Sequence, residues 1–178
     1  MRPSGGCDRG SNPRGGVVFE LRADIQSVVL AAQRLEEMNA KLIEEYAFND
    51  EYIATTQGLV RLRTLDKSGR SVPGARVECK ATKTREEFPS IQAARAMLTR
   101  RYTNPIREIR FSRVGKRYSL PDCDVYLEDV EGCQMVEVEA ADKDTAEHLL
   151  RQLDATPFSQ SMYEIMRARR YDGHSPSK

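Results

Sequence analysis

The sequence predicts an α+β fold built on antiparallel strands, and three observations carry that expectation. About seven or eight runs have the composition and alternation of strands, against about three or four with helical spacing of apolar residues. The helices do not alternate regularly with the strands, which excludes a doubly wound parallel sheet. Within the strand-like runs, charged residues fall on one parity and apolar residues on the other.

Read along the chain, residues 1–16 hold five of the eleven glycines, two prolines and almost nothing apolar. They are expected to be a disordered leader. Val17 to Ala23 is the first strand signal. Asp24 then stands where a side-chain oxygen can cap a helix, and Ile25, Val28, Val29, Ala32 and Leu35 recur at helical spacing to about Asn39. Leu42 to Ile53 is extended and Thr55 to Gly58 a turn, followed by a strand over Leu59 to Leu65. Asp66 to Gly74 is a loop by its Gly69, Pro73 and Gly74, and Ala75 to Thr82 is a strand. Ser90 to Arg101 places Ile91, Ala94, Met97 and Leu98 on one helical face. Ile106 to Ser119 is a long strand, Pro121-Asp122 a turn, and Cys123 to Val130 with Met135 to Ala140 a hairpin around Glu131-Gly132. Asp144 to Leu153 is a helix through Ala146, Leu149, Leu150 and Leu153. A last helix starts near Ser161, with Glu164 in capping-box position. Tyr171 to Lys178 is a polar tail, so the expected folded domain is 17–170.

Composition excludes several classes. The 178 residues carry 28 Lys+Arg against 27 Asp+Glu, a net charge of +1, which is not the cation excess of a polybasic nucleic-acid binder. No extended nucleic-acid surface is expected, and Arg100-Arg101 reads as a solvated helix end. No apolar run reaches the roughly 18 residues of a membrane span, and the first residues lack the apolar stretch of a secretory signal. The expected location is therefore cytoplasmic, with no membrane partner. Cys7, Cys79, Cys123 and Cys133 include no C-x-x-C pair and only two histidines are present, so a zinc site is disfavoured and reduced thiols are expected. Of the cations, 21 are Arg and 7 Lys. Arg supplies a planar fork of donors for phosphate or carboxylate, although codon bias alone can enrich it.

Parity sharpens this. Glu20 with Arg22, Arg61 with Arg63, Arg76 with Glu78 and Lys80, Arg113 with Arg117, Asp124 with Glu128, and Glu137 with Glu139 each share a strand face. An antiparallel sheet with one solvated face shows the same alternation. The other arrangement is a closed barrel of about eight strands, with helices over an apolar outside and charges lining the lumen. Two Arg about 6–7 Å apart on one face repel unless an anion lies between them, and two carboxylates in that relation suit a hard divalent cation. A polyphosphate with Mg²⁺ or Mn²⁺ satisfies both.

The order of segments resembles the CYTH, or triphosphate tunnel metalloenzyme, superfamily over roughly residues 17–166. The first strand, Val18-Phe19-Glu20-Leu21-Arg22, is similar to the family's Glu-x-Glu-x-Lys with Val18 at the first Glu. Asn49-Asp50-Glu51-Tyr52 looks like its Asp-x-Tyr segment, and Leu59-Val60-Arg61-Leu62-Arg63 like its Leu-Arg-x-Arg strand. Val77-Glu78-Cys79-Lys80 with Thr84-Arg85-Glu86-Glu87, the acidic strand at Glu128, and Val136-Glu137-Val138-Glu139 also match. Gly115 and Gln160 stand where the family has cations, and Arg117 has the parity to replace one.

The resemblance implies a phosphohydrolase acting on a triphosphate compound inside a tunnel, with Mg²⁺ or Mn²⁺. A class IV adenylyl cyclase and a catalytically degenerate polyphosphate- or nucleotide-binding module are the alternatives, and a homodimer is compatible with the family. Carried over position by position, Arg22, Arg61, Arg63, Lys80, Arg113 and Arg117 would hold phosphate. Glu20, Glu128, Glu137 and Glu139 would hold metal, and Lys80 and Glu20 would serve catalysis.

Overall fold

The computed structural model describes residues 10–11, 17–67 and 74–172, with side chains over 19–64 and 74–170. The chain forms two compact units, residues 1–45 with 114–159 and residues 46–113 with 160–178. Residues 1–9, 12–16, 68–73 and 173–178, which hold Cys7 and most of the expected leader, of the expected loop before Gly74 and of the expected C-terminal tail, lie outside the described residues.

The first unit is a sheet under two helices. The short β1 (Gly10–Ser11) and β10 (Thr156–Phe158) both pair with β2 (Val17–Asp24). Beyond β2 come β9 (Cys133–Ala140), β8 (Cys123–Val130) and the C-terminal part of β7 (Ile106–Leu120), all antiparallel. The β8–β9 hairpin closes on Glu131-Gly132, both at positive φ (49° and 83°). Paired positive φ values match the right-handed twist of the two strands, and Asp129 Oδ1 accepts from the Gly132 N–H at 2.7 Å. Helices α1 (Val28–Glu37) and α3 (Lys143–Gln152) cover one face. Beneath them Ala23, Val125, Leu127, Val136 and Val138 are wholly buried with Leu35, Ala146 and Leu150.

Ser27, not Asp24, caps α1: its side chain accepts from Leu30 N. Asp24 remains in β2, paired with Met135, and Gln134 shapes the intervening turn by accepting from Ile25 N and Val28 N. A tertiary partner thus moves the helix start by one turn.

In the second unit β3 (Lys41–Thr55), whose first residues belong to the other unit, pairs with β4 (Gly58–Lys67) across a tight turn. Next come β5 (Gly74–Cys79) and β6 (Arg85–Phe88), all antiparallel. The short β6 carries no alternation of its own and is formed by its pairing to β5. Helix α2 (Ile91–Arg101) packs Ala94, Met97 and Leu98 against Ile53, Val60, Leu62, Ala75 and Val77. Helix α4 (Met162–Asp172) opens with the expected capping box: Ser161 N donates to Glu164 Oε2 at 2.7 Å and Glu164 N to Ser161 Oγ at 3.3 Å. Among the described residues the three cysteines are free thiols, and no helix is long and apolar enough to cross a membrane.

Candidate functional site

Strand register decides which charges meet. In the first unit Glu20 pairs with Glu139 and Arg22 with Glu137, and across β9 Glu139 pairs with Asp124 and Glu137 with Tyr126. Arg117 stands opposite Tyr126. These side chains rise from the face that α1 and α3 leave uncovered, because their neighbours Leu21, Val125, Val136 and Val138 are turned into the core.

The result is a carboxylate cluster. Oxygens of Glu20, Glu137 and Glu139 lie within 4.8 Å of one another, all on half-buried side chains. Arg22 bridges two of them, donating from Nε to Glu137 Oε2 at 2.7 Å and from Nη2 to Glu20. Tyr126 donates to Glu139 Oε2 at 3.3 Å. Burial, then the neighbouring Glu137, pushes the Glu139 carboxyl above its ordinary pKa. Burial and Glu139 also raise the Tyr126 phenol. Arg117 donates to Asp124 at 2.7 Å. Its guanidinium lies 5.8 Å from the Tyr126 ring centroid.

The second unit carries the opposite excess. Arg63, on β4, faces Asp50 on β3, and Arg61 lies between Tyr52 and Glu78 on the flanking strands. Asp50 is fully buried. It accepts a two-pronged contact from Arg63, Nε at 2.6 Å and Nη2 at 2.7 Å, and pairs with Arg113 Nη2 at 2.9 Å. Glu78 gathers Arg61 at 2.5 Å, Lys80 at 2.7 Å and Arg85 at 3.5 Å. Five cations therefore share two carboxylates, and the cluster keeps a net positive charge. Arg63 also lies over the Phe48 ring at 4.6 Å.

The titrations follow from these contacts. Burial alone would raise Asp50 and Glu78, but the guanidiniums outweigh it. Arg63 and Arg113 hold Asp50 well below the usual carboxylate range. Arg61, with Lys80, brings Glu78 down to about 2. Burial and Arg61 lower the Lys80 ammonium, against the opposing pull of Glu78.

Because both acids have folded pKa values below their unfolded ones, their stabilisation is complete above about pH 4.5 and fades as pH falls toward 2. The thermal midpoint should drop steeply between about pH 4.5 and 2.5, and Glu78→Gln should flatten that limb. An unchanged acid limb in the variant would contradict the ion-pair assignment.

The sequence expectations are sorted accordingly. Arg61, Arg63, Lys80 and Arg113 come together as one cationic cluster. Arg22 pairs with Glu20 and Glu137, and Arg117 with Asp124 and, at 4.0 Å, Glu44. Glu20, Glu137 and Glu139 form one group. Glu128, expected beside them, is buried opposite Gly115 and Met135, one rung further along the ladder, outside that group. The expectation that paired arginines require an outside anion is also corrected. The chain supplies Asp50 and Glu78 as counter-ions, just as Arg22 serves the paired glutamates. Asp50 was legible in principle: the Thr56-Gln57 turn sets the β3–β4 register that places it opposite Arg63.

No protein-family model and no curated protein matches this sequence. Solved structures do. A Pyrococcus horikoshii protein aligns with TM-score 0.73 at 15% identity, over 88% of this chain and 99% of the other. A Vibrio parahaemolyticus protein named as a candidate adenylate cyclase aligns with TM-score 0.64 at 15% identity, over 85% and 98%. A Hippeastrum protein, named for adenylyl cyclase and described as having a dominant triphosphatase activity, aligns with TM-score 0.59 at 13% identity, over 85% and 95%.

Proposed function

We propose that this chain, which carries the fold of the CYTH or triphosphate tunnel proteins, is a metal-dependent phosphohydrolase acting on a triphosphate-containing compound. The observation that carries the reading is the Glu20–Glu137–Glu139 cluster. Its donors are hard carboxylate oxygens. Two oxygens bound to one divalent ion at roughly 2.1–2.4 Å lie no more than about 4–5 Å apart, and burial, then the neighbouring Glu137, holds the Glu139 carboxyl above its ordinary pKa. The donor set therefore fits Mg²⁺ or Mn²⁺, held by these three glutamates. When bound, such an ion polarises phosphoryl oxygens and offsets developing charge.

The remaining work falls to the chain. Arg61, Arg63 and Arg113 bind phosphoryl oxygens, their forks oriented by Asp50 and Glu78. The lowered pKa of Lys80 suits it to pass a proton to the departing phosphate oxygen. Glu20 orients the attacking water, and Arg22 and Arg117 are phosphate-binding cations of the first unit.

The reading is supported by the Hippeastrum protein's dominant triphosphatase activity. The cyclase names among the similar structures give the second reading, attack of a ribose 3′-hydroxyl on the α-phosphorus of ATP. Incubation with tripolyphosphate, thiamine triphosphate and ATP, each with Mg²⁺ or Mn²⁺, separates the two. Orthophosphate release is the expected result, and cyclic AMP with pyrophosphate would establish the cyclase. Thermal stabilisation by tripolyphosphate without turnover would identify a binding module, and neither binding nor turnover would end all three readings.

A further inference from the structure

We infer that Arg22 is a displaceable counter-cation of the Glu20–Glu137–Glu139 cluster: its guanidinium holds the carboxylates together and gives way when a divalent cation takes their oxygens. This rests on the reading of the cluster as a metal seat and adds a control that the seat alone does not imply.

Arg22 projects from β2 directly opposite Glu137, on the same strand face as Glu20 two residues earlier. Its Nε and Nη2 each contact one of the glutamates, so one planar cation spans two carboxylates of the three. A divalent ion would approach these oxygens at roughly 2.0–2.5 Å. The guanidinium nitrogen already stands 2.7 Å from Glu137 Oε2. Ion and guanidinium therefore seek the same oxygens from the same distance, and two cations at that separation repel. The third carboxylate is held differently. Glu139 accepts from the neutral Tyr126 phenol at 3.3 Å.

Displacement has an exit and a destination. The Arg22 side chain keeps 28% of its surface accessible, so its head can leave the carboxylates without unfolding the strand. Once released it offers a fork of donors beside the glutamates, ready to donate to phosphate oxygens. Metal binding thereby frees an anion-binding group, and an anion that captures it tightens metal binding in return, as linkage requires. Until then Arg22 offsets the charge of Glu20 and Glu137, and the metal and the phosphate recruit each other.

The test is Mn²⁺ binding, followed by the paramagnetic resonance of the unbound ion, to the full chain as wild type, Arg22→Gln and Arg22→Lys. Each is titrated with and without inorganic phosphate. Arg22→Gln should bind Mn²⁺ tighter by about fivefold to a hundredfold, the usual span of coupled sites. Arg22→Lys, which keeps the charge but loses the fork, should fall between. Phosphate should tighten Mn²⁺ binding to the wild type more than to Arg22→Gln.

Equal affinities in the wild type and Arg22→Gln would overturn the inference and leave the metal seat standing. Weaker binding by Arg22→Gln would also overturn it, making Arg22 an organiser of the ligands. Should Arg22→Gln fail to fold, Arg22→Lys decides, and wild-type affinity in that variant sinks the idea. Absence of Mn²⁺ binding in every form, with Glu137→Gln indistinguishable from wild type, would remove the seat and the inference together.

Discussion

Asp50→Ala should destabilise the protein by about 3–5 kcal/mol, the usual cost of removing one partner from a buried ion pair. Asp50 is fully buried, and it is the shared partner of Arg63 and Arg113, whose side chains are only 11% and 7% exposed. Its removal takes the shared carboxylate from two guanidiniums that have little water to turn to. Urea unfolding reads the effect as a lower midpoint with an unchanged slope. Asp50→Asn keeps the volume but loses the charge, so it should recover only a small part of the loss. A change below about 1 kcal/mol in both variants would show that Arg63 and Arg113 do not depend on this carboxylate. The same substitution has a functional reading. With Asp50 gone the two forks lose their common anchor, and affinity for tripolyphosphate should fall even at temperatures where the variant stays folded.

Glu137→Gln combined with Glu139→Gln should lower metal-dependent triphosphate turnover by about a thousandfold or more, given the several kcal/mol that a metal contributes to phosphoryl transfer. The two substitutions should do this without unfolding the protein. Glu139 is half-buried beside Glu137, and its raised pKa records that the fold bears this charge at a cost. Replacing it with a neutral isostere removes that repulsion, so the thermal midpoint of the metal-free variant should equal or exceed the wild type's. Loss of activity with unchanged or improved stability is the mark of residues kept for chemistry. Retained turnover in the double variant would refute the metal assignment, and a large drop in midpoint would assign the glutamates to the fold.

Much of this was legible in the chain itself. The apolar alternation of Val136 and Val138 against Glu137 and Glu139 placed the latter on one strand face, and they lie there. The helix at Ser161 was announced by its capping box. Where the reading fell short, a distant group had intervened. Gln134 carries the start of α1 from Asp24 to Ser27 by accepting from the Ile25 and Val28 backbone N–H groups. Strand β6, four residues long, exists through its pairing with β5. Glu128 satisfies the parity rule but lies a rung away from the cluster, because parity specifies a face and not a position along it.

The division has a single physical origin. Side-chain periodicity is local: the alternation of a strand and the turn of a helix follow from backbone geometry, so the sequence by itself determined which charges share a face. Pairing of charges is not local. Arg22 meets Glu137 across 115 residues, and Arg95 meets Glu51 across 44. Only strand register and burial set those distances and the effective dielectric between them. The net charge of +1 is the same in either description. Tertiary structure separated it into a cluster of surplus carboxylates in one unit and a cluster of surplus cations in the other, each with counter-ions from its own unit.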